Sequence, residues 1–208
     1  MESKRLSLHR ALSELKMLNE RIDAATKNVV LIRANRKSNE KIDGMPIEEF
    51  KKEMQGSYDK VISLISYRNR LKALVVASNA QTNVQIGTVT MTVAEAIERK
   101  QSIQFEKDVV EKLRRQYQRA ITQVTEANEA LPEKLETYLV NILGNKDKQS
   151  PDEVQLHTET FMKRNEYELI DPMQVKKIID MLTAQIEEFE SEVDAVLSES
   201  NATTFIEL

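Results

Sequence analysis

The chain has 208 residues, 31% of them charged and only 5% aromatic, with 4 Gly, 4 Pro, no Trp and no Cys. That composition belongs to long helices rather than to a turn-rich β fold. It also excludes a disulfide framework and a thiolate zinc site. The net charge of −4 hides an asymmetry: residues 120–208 carry 7 basic against 19 acidic side chains, net −12, whereas residues 1–119 carry 23 against 15, net +8. Segments of unlike sign favour packing against each other, and the basic one suits an anionic ligand.

The opening MESKRLSLHRALSELK is charged throughout and lacks the apolar centre of a secretory signal. No apolar run approaches the roughly 18–20 residues that span a bilayer. The expectation is a soluble, cytoplasmic protein with no membrane partner.

Taken in order, residues 6–29 read as a helix. Leu8, Leu15, Ile22 and Val29 recur every seven residues with Ala11, Leu18 and Ala25 between them, an apolar seam for another helix. Val29-Val30-Leu31-Ile32 is a short strand or a buried helix end, and 33–44 is a polar loop. Pro46, followed by Glu48 and Glu49, starts a second helix over 46–78. Its apolar face includes Leu64, Leu71 and Val75, and Arg68-Asn69-Arg70 with Lys72 forms a basic turn. Residues 79–91 read as a loop, with a minor β-hairpin or extended stretch near 84–90 around Gly87.

Thr92-Val93-Ala94-Glu95 is a capping box that opens a third helix over 93–143. Pro132 is expected to kink or divide it. A loop follows at 144–151. Within 152–170, Asp152-Glu153 can start a short helix, and Tyr167–Ile170 looks extended. Asp171-Pro172 then caps a last helix over 172–199, with a seam of Val175, Ile179, Leu182, Ile186, Phe189, Val193 and Val196 and an acidic opposite face. Four such seams imply one all-α domain, an elongated antiparallel helical bundle or coiled-coil hairpin, prone to self-association into a homo-oligomer.

Motifs for chemistry are scarce. With so few glycines neither phosphate-loop pattern can be drawn, and there is no HExxH. His9 and His157 read as surface or structural residues. The expectation is a non-enzymatic protein without cofactor or metal. A basic stripe at Arg99, Lys100, Lys107, Lys112, Arg114, Arg115 and Arg119 is interleaved with acids. It reads as salt-bridged helix flank in preference to a nucleic-acid tract.

The richest constellation is Arg68, Asn69 and Arg70, with Asn79, Thr82, Asn83, Thr88 and Arg99 after them. Arg forks match phosphate or carboxylate, and Asn and Thr both donate and accept. The pentad Ser78-Asn79-Ala80-Gln81-Thr82 is nearly repeated as Ser200-Asn201-Ala202-Thr203-Thr204. If the chain's end returns to the first pentad, Asn201, Thr203, Thr204 and Phe205 extend a ligand pocket there. Otherwise both pentads cap helix ends.

Leu64-Ile65, Arg68-Asn69, Ser78–Thr82, Gly87 and Thr92-Val93-Ala94-Glu95-Ala96-Ile97-Glu98-Arg99-Lys100 resemble the central signature of the septicolysin-like family. Asp171 with Asn201-Ala202-Thr203-Thr204 and Leu208 resembles that family's closing helix and tail. Ala202 stands where an aromatic is usual, with Phe205 nearby, and residues 145–170 have no counterpart. The resemblance implies a small helical protein of bacteria or their phages and transfers no activity. The expected function is a homo-oligomer that binds, and so sequesters, a small anionic, nucleotide-derived ligand. A structural adaptor and a nucleic-acid binder are the alternatives.

Overall fold

The computed structural model describes residues 5–144 and 150–208. The fold is all-α with three small two-stranded sheets. The described chain gathers into two compact units, one made of 1–101 with 188–208 and the other of 102–187.

In the first unit, strand β1 (Arg5–Ser7) leads into helix α1 (Leu8–Asn28). Ser7 caps α1, its hydroxyl accepting from the Arg10 amide at 3.3 Å. Strands β2 (Lys41–Ile42) and β3 (Met45–Pro46) form a hairpin whose turn, Asp43-Gly44, has positive φ at both residues. That is the Asp-Gly signature of a tight hairpin turn. Helix α2 (Ile47–Gln81) packs back along α1. Strands β4 (Asn83–Ile86) and β5 (Val89–Thr92) form a second hairpin through Gly87-Thr88. The unit also holds the start of helix α3 (Val93–Glu129), the end of helix α6 (Val175–Thr203), and strand β6 (Phe205–Glu207), which pairs antiparallel with β1.

The core of this unit is one cluster of Leu6, Leu8, Ala11, Leu15, Leu18, Leu71, Val75 and Ile206, with Leu64, Tyr67, Leu74 and Leu208 packed on it. The heptad seam of α1 is therefore its buried face. The long reach of the cluster, from Leu6 to Ile206, ties the chain's two ends to α2.

The second unit takes the remainder of α3, helix α4 (Leu131–Leu143), helix α5 (Pro151–Asn165) and the start of α6. Pro132 divides the helix expected over 93–143: α3 stops at Glu129 and α4 begins afresh with its proline in the first turn. Tyr138 of α4 meets His157 and Phe161 of α5, with ring centroids 6.1 and 5.0 Å away. Asn128 holds the extended Tyr167 by both backbone groups, at 2.9 and 2.8 Å.

Several boundaries differ from the sequence reading. Residues 29–32 form neither strand nor buried helix end; they are extended coil, with Ile32 86% exposed. The span 33–44 contains β2. Helix α2 continues through Asn79 to Gln81, so 79–91 is a helix end and a hairpin rather than a loop. Helix α6 starts at Val175, where Asp171 accepts the Val175 amide at 2.9 Å, and runs on to Thr203. Residues 151–165 are a full helix. Of the loop expected over 144–151, residues 145–149 lie outside the described residues.

The pentad repeat marks a repeated joint. Helix α2 ends at Gln81, the Thr82 amide donates to the Ser78 carbonyl at 2.9 Å, and the Thr82 carbonyl accepts from Val93 at 2.8 Å. Helix α6 ends at Thr203, the Thr204 amide donates to the Ser200 carbonyl at 2.9 Å, and the Thr204 carbonyl accepts from Leu8 at 2.9 Å. The strand registers agree: Asn83 pairs with Thr92 as Phe205 pairs with Ser7. In both joints the paired strand ends in the N-cap of the next helix, Thr92 or Ser7. Buried residues correspond too: Val93 with Leu8, Ala96 with Ala11, and Val193 with Leu71. The chain is thus two copies of a strand–helix…helix–strand unit, each copy's closing strand paired with the other's opening strand.

Candidate functional site

Each joint is built from helix ends, where backbone groups lack intrahelical partners. At the first, Thr92 and Glu95 form the complete capping box. The Glu95 carboxylate accepts from the Thr92 amide at 2.7 Å and hydroxyl at 2.9 Å, and the Thr92 hydroxyl accepts from the Glu95 amide at 3.1 Å. These bonds, the backbone one foremost, hold the Glu95 carboxyl below its usual range. Gly87 turns the hairpin with φ of +56° and donates its amide to Glu192 of α6 at 2.7 Å. The positive φ calls for glycine, and a Cβ there would lie 2.2 Å from the Glu188 carboxyl carbon, so the end of that side chain would have to move aside. Lys100 pairs with Asp194, and the Arg99 guanidinium lies 4.6 Å from the centre of the Phe189 ring.

The first pentad and the chain's end belong to the same unit, and β6 lies against α2. The residues expected to line a pocket there divide by task. Thr82 and Thr204 supply the backbone bonds of the joints, and Thr203 turns its hydroxyl to the Glu199 carbonyl at 2.9 Å. Phe205 is half-exposed beneath the Arg5 guanidinium, 4.4 Å from its ring centre. Asn69, Arg70, Asn83 and Thr88 are exposed, and Asn201 is half-buried. Asn79 Oδ1 and Ser200 Oγ are buried without a hydrogen-bond partner. Such an orphan typically costs about 1–3 kcal/mol, so each atom is a place where a further donor would be gained. Arg68 donates from Nε to Asn19 of α1 at 3.3 Å and from Nη1 to Asn69 at 3.2 Å.

One turn along α2 from Arg68 lies Leu64, and there a groove of about 650 Å³ opens between α1 and α2. Arg21, Ala24, Ala25, Val29, Ser57, Lys60 and Leu64 line it. Its size falls within the roughly 300–1,000 Å³ of small-molecule sites. The lining combines an apolar floor, one hydroxyl and two cations, with no carboxylate. Neither Arg21 nor Lys60 makes an ion pair with a described residue. Two unpaired cations across one groove produce a positive field that a small anion would neutralise. Sequence reasoning did not select Arg21, Ser57 or Lys60. The available signal was the pair of small residues Ala24-Ala25 on the apolar seam of α1, with Gly56-Ser57 on α2, where a tightly filled seam would carry larger side chains.

The basic stripe of α3 is partly engaged: Arg114 donates to Thr183 at 2.8 Å, and Arg115 pairs with Glu111 at 3.5 Å. Among the described residues no cluster of three or more His, Asp or Glu could hold a metal ion, and no helix is long and apolar enough to cross a membrane. No protein-family model, curated protein or solved structure matches the chain.

Proposed function

We propose that this protein is a non-enzymatic, homo-oligomeric binder that holds, and so sequesters, a small anionic ligand of nucleotide-like character. The observation that carries the reading is the α1–α2 groove, where Arg21 and Lys60 stand over an apolar floor without an ion pair among the described residues. Arg68, one turn further along α2 and half-buried, extends the positive field. Self-association is supported by Phe105 and Val109, one turn apart on α3, which leave large apolar side chains in water; Phe105 is 74% exposed.

The test is native mass spectrometry of protein purified from cells, followed by calorimetry against linear and cyclic nucleotides. Wild-type protein is expected to carry or take up a nucleotide. Arg21→Ala with Lys60→Ala should weaken binding by about tenfold or more, since a hydrogen bond to a charged group contributes roughly 1.5–3 kcal/mol. A clean apo spectrum together with no heat across the panel would sink the reading. Light scattering tests assembly: a mass that stays at one chain at all concentrations removes the homo-oligomer from it.

A further inference from the structure

We infer that the α1–α2 groove was opened by divergence between the two copies of the repeated unit, and that it takes an anion carried on an apolar body rather than a bare phosphate. This rests on the reading that the groove binds an anion. The two joints set the correspondence between copies without adjustment. Counting back along α2 from Thr82 and along α6 from Thr204, Ser57 and Lys60 correspond to Ile179 and Leu182. Counting forward along α1 from Ser7 and along α3 from Thr92, Ala25 corresponds to Val110.

The second copy is apolar at all three positions. Val110 and Ile179 are buried, 5% and 6% exposed, and Leu182 is half-buried. The first copy has a methyl, a hydroxymethyl and a lysine there. A large-to-small change between packed helices loses contacts and leaves space that surrounding side chains only partly reclaim. In α1 and α2 that space is the groove. Its floor of Ala24, Ala25, Val29 and Leu64 offers no hydrogen-bonding side chain, so a hydrated phosphate would gain nothing from it. Arg21 and Lys60 offer no apolar partner beyond their stems. A ligand that satisfies both parts joins an anionic group to a ring or aliphatic body occupying the volume that Val110 and Ile179 fill in the other copy.

The experiment uses full-length protein labelled with nitrogen-15 and two probes, anilinonaphthalene sulfonate and inorganic phosphate. The sulfonate should shift the amides of Ala24, Ala25 and Ser57 in a saturable manner, and phosphate at the same concentration should not. The variants Ala25→Val and Ser57→Ile, each importing the other copy's residue, should keep their helical circular dichroism and lose sulfonate affinity by about tenfold. Ala24→Val, which imports the other copy's Val109 at a groove-lining position and leaves both cations in place, is the second variant should either of those fail to fold. Sulfonate shifts confined to other residues, unchanged affinity in the filled variants, or equal shifts with phosphate would each overturn the inference. Sulfonate seated in the groove with no nucleotide binding in calorimetry would overturn the nucleotide reading and uphold this one.

Discussion

Tyr67 with Glu14, and Phe189 with Arg99, occupy corresponding places in the two copies and hold the helices together by different chemistry. The Tyr67 hydroxyl donates to the Glu14 carboxylate at 2.6 Å, whereas Phe189, which has no hydroxyl, offers its ring face to the Arg99 cation at 4.6 Å. In each case the residue on the neighbouring helix has the sign its aromatic partner can use. A phenol donates to an anion, and a ring face attracts a cation. At these corresponding places both partners differ between the copies, and each copy keeps a contact its own pair can make.

That comparison can be broken most forcefully at the core positions the copies share. Leu71→Ala should cost about 2–5 kcal/mol, the range for large-to-small changes at fully buried leucines. Val193→Ala should cost less because it removes fewer methyl groups. Urea unfolding of both variants checks the order, and the reverse order would deny that the positions correspond. Next, Arg99→Glu sets an anion against the Phe189 ring and should cost about 2 kcal/mol. Adding Phe189→Tyr should recover about half by recreating the pair of the first copy. Additive losses in that double-mutant cycle would refute the coupling.

Tyr67→Phe should cost about 1 kcal/mol at neutral pH. The hydrogen bond to Glu14, then burial, raise the Tyr67 phenol above 10.0. A raised folded value means the contribution is complete below 10.0 and is lost as pH climbs through the folded value. The gap between wild type and Tyr67→Phe should therefore narrow only in strong alkali. Smallest is the contrast between the two N-caps. Thr92→Ala should cost about 1 kcal/mol, and Ser7→Ala less, because Arg10 stands where Glu95 completes the other box. Glu95 has a lowered carboxyl, so its share is complete above 4.5 and fades as pH falls through the lowered value. Thermal melts of both variants against pH should show the two costs converging in acid.

Much of the fold was legible because helices announce themselves by period. The seams of α1 and α6, the capping box at Thr92 and the division near Pro132 all follow from local chemistry, and each is present. What escaped was of two kinds. The β2–β3 turn was written plainly as Asp43-Gly44, but two-residue strands have too little pattern to register. Val30, Leu31 and Ile32 are apolar by composition yet exposed, because burial depends on what the rest of the chain brings alongside. The pentads were visible as text, and their meaning needed the pairing of β1 with β6, a contact between residues at opposite ends of the sequence. Of the residues that line the groove, Ala25, Val29 and Leu64 were read as apolar seam positions and none as a ligand contact. Arg21 and Lys60 sit on different helices, and nothing local connects them.

The pairing of β1 with β6 has a topological consequence. Because Arg5 lies opposite Glu207 in the same kind of ribbon that Gly87-Thr88 closes elsewhere, the backbone path through the four helix ends is a ring with a single nick. Joining the chain's ends through a glycine turn and opening it between Gly87 and Thr88 would only move the nick to the sister ribbon. Such a permuted chain should fold to the same circular dichroism spectrum, with its loss of stability confined to the released contact between Gly87 and Glu192.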